Sequence, residues 1–227
     1  MVRSAICNLV VWLLALGNLW MGAALGQDAA QSVTTPAASA PQAGNVVAPP
    51  VAAATVKVVL RTALGDIVLA LEKERAPVTV NNFLRYVDQK RLDGSNFYRA
   101  IKLDDAGQNG LIQGGLRGDP KRVFKPIAHE PTSVTGLSHV SGAISMARAE
   151  PGTARSDFFI VIGDQVAYDA APDGGDPGYA VFGRVVEGMD VVHAILEQPR
   201  SADTGEGVMK GQMIANPVKI ITARRAG

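Results

Sequence analysis

From residue 55 onward, apolar positions recur with two different spacings. Val56–Leu60 and Ile67–Leu71 are β-rich runs separated by Thr62-Ala63-Leu64-Gly65-Asp66, a length and a Gly-Asp pair that predict a hairpin. Ala76-Pro77 opens a helix, since proline early in a helix gives up no needed N–H. Val80, Phe83, Leu84 and Val87 then mark one apolar face, and Asp93-Gly94 ends the helix. Short strands follow over Asn96–Ile101, Leu111–Gln113, Gly142–Arg148, Asp157–Ile162 and Ala180–Val186. Gly188 precedes a second amphipathic helix with Met189, Val192, Ile195 and Leu196 on its inner side, which Pro199 stops. Val218–Ala223 is the closing strand. Two helices around a long β-rich middle argue against βαβ alternation. They fit an antiparallel barrel or sandwich with a helix over each open end.

One strand carries an anomaly. Strict alternation along Asn96–Ile101 places Arg99 on the same face as Phe97 and Ile101. A guanidinium is rarely buried unless paired, so Arg99 either snorkels to solvent or is held among apolar neighbours for use.

The first residues have a different pattern. Arg3 supplies a positive charge, Leu9–Leu16 is apolar throughout, and Ala24-Leu25-Gly26 offers small residues at the positions a signal peptidase reads. This predicts a secretory signal over 1–26, cleaved near Gly26-Gln27. An uncleaved membrane anchor is the alternative, because Ala5–Leu25 approaches the roughly 20 residues that span a bilayer. Either way the remainder is exported, to the periplasm or outside the cell. Residues 27–54 are rich in Ala, Pro, Ser and Thr with Asp28 as the single charge, and read as a flexible spacer. The folded domain is expected over 55–227.

Composition narrows the chemistry. The net charge is +1 and the 22 basic residues are scattered along the chain, which does not suggest nucleic-acid binding. Cys7 is the single cysteine and lies in the export segment, so the mature chain has no disulfide, thiolate nucleophile or cysteine metal site. His129, His139 and His193 are not at metal-ligand spacing. No G-x-S-x-G elbow and no phosphate loop of the G-x-x-x-x-G-K type occurs. Asp173-Gly174-Gly175-Asp176 lacks the alternating ligands of a calcium loop and reads as a solvated turn.

Four segments in order resemble the cyclophilins, peptidyl-prolyl cis-trans isomerases, over about Val56–Ala223. They are Phe97-Tyr98-Arg99, Gln113-Gly114-Gly115, Gly142–Arg148 with Ser156–Ile160, and Tyr179–Asp190. The similarity, strongest to the bacterial periplasmic type, implies a mainly β fold: an eight-stranded antiparallel closed barrel capped by two α-helices, with the active groove on its outer face. It implies that Arg99 is catalytic and that Gln113 bonds substrate backbone. Leu111, Phe159 and Tyr168 would line the proline pocket, Ala147 and Arg148 would form a rail for the peptide, and Tyr179 would take a position that is usually histidine. Asp157 stands in the backbone-binding position where the family carries glutamine. The resemblance further implies a monomer acting on proline-containing polypeptides, with no cofactor, metal or nucleic acid. A membrane would be involved only through an uncleaved N-terminal segment.

The family pattern is broken at Gly110, where a pocket phenylalanine is expected, and by a loop inserted over Leu103–Asn109. The tryptophan that many members carry before Tyr168 is missing, and with it a ring tied to tight cyclosporin binding. Gly110 would remove pocket area and Asp157 would add charge. These departures leave a second reading open, a module that binds proline-containing segments and isomerises them weakly or not at all.

Overall fold

The computed structural model describes residues 54–226. The expected signal over 1–26 and, but for Ala54, the spacer over 27–54 lie outside the described residues. The elements are β1 (Val56–Thr62), β2 (Gly65–Leu71), α1 (Pro77–Asp88), β3 (Asn96–Lys102), β4 (Gly110–Gly115), α2 (Thr132–Thr135), β5 (Ala143–Met146), β6 (Phe158–Ile162), β7 (Ala180–Glu187), α3 (Met189–Leu196), β8 (Arg200–Ser201) and β9 (Met213–Arg225). Strand order is β1-β2-β7-β5-β6-β4-β3-β9, and pairing of β1 with β9 closes the ring into an eight-stranded barrel, with the two-residue β8 added to β9. Every pairing is antiparallel.

Alternation along β6 shows how the wall is built. Phe158, Ile160 and Ile162 enter the barrel core, whereas Phe159 and Val161 face outward into a second apolar cluster with Leu111, Ala143 and Val181. Inside, Phe158 stands edge-on to Phe83 of α1 and to Phe97 of β3, at centroid distances of 5.5 and 5.7 Å. Since Phe158 pairs with Gly114, α1 covers that end of β4. Leu196 of α3 reaches toward Gly110 at the other end, so the two helices close opposite mouths. A side chain at Gly110 would run into the carbonyl oxygen of Ile101.

The N-terminus of α1 is capped from a distance. Ala76 offers no side-chain cap. The Glu130 carboxylate accepts the backbone N–H groups of Val78 (3.0 Å) and Thr79 (2.7 Å) and the Thr79 hydroxyl (2.6 Å). An anion thereby meets the free donors and the positive end of the helix dipole.

Several boundaries differ from the sequence reading. α1 ends at Asp88, not Asp93-Gly94, and the chain leaves it through Lys90 at φ 56°. The strand expected over Gly142–Arg148 is confined to Ala143–Met146, and Asp157 precedes β6. Val191 joins Val192, Ile195 and Leu196 on the buried face of α3, and Met189 packs against the core while partly exposed. The closing strand starts at Met213, and its first residues pair with β8.

The correction that matters most lies in β3. The register shifts between Phe97 and Arg99 in the pairing with both β4 and β9, so Tyr98 is a bulge. Phe97 and Ala100 both enter the core, while Arg99 and Ile101 face outward. Arg99 thus does not share a face with Phe97. The extra residue turns the guanidinium out of the barrel and onto its surface.

Candidate active site

The outward face of β3, β4 and β6 opens into a groove of about 1050 Å³. Registers place Arg99 opposite Gln113, Gln113 opposite Phe159, and Ile101 opposite Leu111. Alternation therefore sets Arg99, Gln113, Leu111 and Phe159 together on one wall.

Arg99 is half-buried and held by two glutamines. Its Nη1 donates to Gln113 Oε1 (2.8 Å), and its Nε and Nη2 both donate to Gln212 Oε1 (2.9 and 2.6 Å). Three of the five guanidinium donors are used, so one N–H on each terminal nitrogen remains for a ligand. Among the described residues Arg99 makes no ion pair. Burial holds its pKa below the usual arginine value, yet a guanidinium keeps its proton at any physiological pH. Gln113 is itself oriented, because its Nε2 donates to the Tyr98 hydroxyl (2.8 Å). The bulged residue thus braces the Arg99–Gln113 pair.

Lining the same groove, Phe159, Tyr168 and Tyr179 pack edge to face. Phe159 lies 5.4 Å from Tyr179 and 6.1 Å from Tyr168, with interplanar angles of 89° and 84°. Beneath them is the fully buried His139, its ring parallel to Phe159 at 5.8 Å. His139 Nδ1 meets Asp169 Oδ1 at 2.5 Å and Nε2 meets Ser145 Oγ at 3.0 Å. Asp169 also accepts the backbone N–H of His139 and the Ser138 hydroxyl. Burial pushes the imidazole pKa down, against the opposing pull of Asp169. The order Ser-His-Asp looks hydrolytic, but Ser145 is completely buried and no substrate reaches its oxygen.

The remaining candidates have divided roles. Ala147 lines the groove, and its N–H donates to the Asp157 carbonyl (2.9 Å). Arg148 lines the groove beside Ala147 with its side chain tied down: Nε and Nη2 both donate to the Gly178 carbonyl, and the guanidinium lies 4.9 Å from the Tyr179 ring centre. It clamps the loop that carries Tyr179. The Asp157 carboxylate accepts the Arg117 N–H (2.9 Å), tying down the turn after β4. Burial pushes the Asp157 carboxyl upward, and the bonds from the Arg117 and Leu116 backbone oppose that rise.

With this geometry in place, comparison with known proteins is decisive. The family model described as cyclophilin type peptidyl-prolyl cis-trans isomerase/CLD matches residues 56–225. The chain belongs to this family. A peptidyl-prolyl cis-trans isomerase of Acinetobacter baylyi is 36% identical over 177 residues, covering 76% of this chain and 87% of the relative. Peptidyl-prolyl cis-trans isomerase A of Dickeya dadantii is 36% identical over 169 residues, or 72% and 84% of the two chains. A cyclophilin type isomerase of Cryptosporidium parvum, crystallised in the presence of the dipeptide Ala-Pro, has the same fold. Its TM-score is 0.60 at 21% identity, over 75% of this chain and 99% of that one.

Two departures from the cyclophilin pattern are less disruptive than the sequence suggests. The absent side chain of Gly110 would point at Ile101 and Leu196, into the barrel wall and not into the groove. Asp157 has its carboxylate on a neighbouring backbone amide, away from Arg99. Sequence reasoning missed Gln212 and His139 as site residues. Gln212 lies in an irregular segment before β9, and His139 lacks any local motif; in both cases only the closed barrel supplies the partner.

Proposed function

We propose that this cyclophilin-type isomerase catalyses rotation about X-Pro bonds in exported polypeptides, with Arg99 as the catalytic residue. The observation that carries the reading is a charged guanidinium with two free donors, fixed by neutral amides beside an apolar pocket.

Amide resonance makes X-Pro rotation slow, with a barrier near 20 kcal/mol. At the twisted transition state conjugation is lost and the prolyl nitrogen regains its lone pair. A fixed donor aimed at that nitrogen binds the twisted form better than either planar one. A charge-assisted hydrogen bond contributes about 1.5–3 kcal/mol, and each 1.36 kcal/mol is about tenfold in rate. Glutamine partners suit this task because they orient the guanidinium without neutralising it, as a carboxylate would. Phe159 and Leu111, with Tyr168 and Tyr179 at the flank, hold the proline ring still while the preceding carbonyl swings. Gln113 retains one N–H for that carbonyl or its neighbour. No bond is made or broken, so no nucleophile is needed. The Cryptosporidium parvum relative crystallised with Ala-Pro supports a proline-containing ligand in such a groove.

Isomerase turnover and peptide affinity, measured on the same X-Pro peptide, test the reading. Turnover above the uncatalysed rate is expected; tight binding with no acceleration would leave only a binding module. Export is tested by fractionating the producing cells. The chain is expected outside the cytoplasm with a mature terminus near Gln27, and a cytoplasmic pool retaining Met1 would contradict it.

A further inference from the structure

The basic residues are scattered in sequence, but the fold gathers a group of them on one face. Arg85 and Arg91 lie on Phe124, their guanidinium carbons 3.6 and 4.4 Å from the ring centre. Arg91 Nη1 donates to the Arg122 carbonyl (2.8 Å), and Arg122 Nη2 donates back to the carbonyls of Arg91 and Asp93 (2.7 Å to the latter). Lys121 and Lys125 flank this knot in sequence and are exposed, as is Lys90 on the exit from α1. Among the described residues none of these six side chains is in an ion pair. Their partners are an aromatic ring and carbonyl oxygens, which orient a cation and leave its charge uncancelled.

Two nearby carboxylates are already paired elsewhere, Asp88 with Arg225 and Asp93 with Arg224, while Asp119 accepts the Lys121 backbone N–H and keeps its charge. In a chain of net charge +1, six basic side chains outside any ion pair among the described residues thus lie together on this part of the surface.

That surface is continuous with the substrate groove. Arg117 and Gly118 line one end of it, with the exposed Arg155 beside them. The same loop runs on through a turn, in which Asp119 N–H bonds to the Leu116 carbonyl, to Lys121, Arg122 and Phe124. A polypeptide seated at Arg99 and leaving by this end passes over the basic face. No exposed aromatic platform accompanies the charges, as single-stranded nucleic acid would require, and no apolar anchors accompany them, as a membrane surface would require.

We propose that the face formed by Arg85, Lys90, Arg91, Lys121, Arg122 and Lys125 is a docking surface for acidic segments flanking the X-Pro bond in client polypeptides. This inference rests on the isomerase reading and names the substrate class that the site favours. Complementary charge acts mainly on capture of the substrate, so it lowers KM and leaves kcat alone.

The test uses the full chain and two peptides that share one X-Pro core, one bare and one extended by a run of glutamates. At low ionic strength the acidic peptide is expected to have a KM about three- to tenfold lower, with the advantage fading as salt screens the face. Lys121→Glu with Lys125→Glu, two exposed positions without side-chain bonds, is expected to abolish the advantage and leave the bare peptide unchanged. Equal KM for the two peptides, or an advantage that survives the charge reversal, overturns the proposal. So does an intact peptide preference in a variant that has lost binding to a single-stranded oligonucleotide or to anionic phospholipid vesicles. Turnover of the bare peptide reports on the isomerase reading separately.

Discussion

Arg99 and Gln212 stand 113 residues apart in sequence, yet one amide oxygen of Gln212 accepts both the Nε and an Nη2 proton of Arg99, at 2.9 and 2.6 Å. That contact sets the plane of the guanidinium and so decides where its free donors point. Gln212→Leu keeps the volume and removes the acceptor. The variant is expected to lose about tenfold in kcat, with KM and the thermal midpoint little changed. A KM that rises while kcat holds would mean that Gln212 binds substrate and does not aim Arg99.

Turnover should be nearly independent of pH from about 6.5 to 9, because the proposed catalyst carries a guanidinium that does not titrate there. A pH–rate profile on a peptide without ionisable side chains checks this. A bell-shaped curve in that range would point to a different catalytic group.

Stability, unlike turnover, should depend on pH through His139. Burial keeps the folded imidazole neutral and its pKa below the ordinary value of 6.5. Between those two values the unfolded chain binds the extra proton, so stability rises with pH across the window and falls as pH drops below about 6.5. The slope from one group is at most about 1.36 kcal/mol per pH unit. His139→Phe keeps a ring against Phe159 and removes the titration. Denaturant unfolding from pH 7.5 to 5 should show a smaller loss in the variant than in the parent.

Glu130 caps α1 from 51 and 52 residues away. Glu130→Ala leaves two backbone donors without that partner and should destabilise the fold by about 1–2 kcal/mol. Chemical denaturation measures it, and no change in kcat is expected, since the contact lies outside the groove.

How much of this was legible before folding varies with the range of the interaction. Strand and helix positions follow from local periodicity: β1, β2, β6 and β7 lie within a residue or two of their expected bounds. A barrel or sandwich follows from the element pattern and Arg99 stands out by alternation, while the closed barrel and Gln113 rest on four short segments in order, none of which stands alone. Strict alternation misplaces Arg99 relative to Phe97 because a bulge at Tyr98 breaks the period of two, and nothing in Asn96–Ile101 signals an extra residue. Asp157 and Arg148 line the groove, but their side-chain partners, the Arg117 amide and the Gly178 carbonyl, lie 40 and 30 residues away and leave no local signal. Gln212, His139 and Glu130 share that character. Each is an ordinary polar residue until ring closure brings its partner within 3 Å.

The central claim is that one guanidinium stabilises the twisted prolyl amide. The most direct measurement is kcat/KM on an X-Pro peptide for Arg99→Ala beside the parent, with thermal unfolding as the control for folding. A loss of at least about tenfold, with the unfolding midpoint preserved, is the predicted result. Undiminished turnover in the folded variant would contradict it.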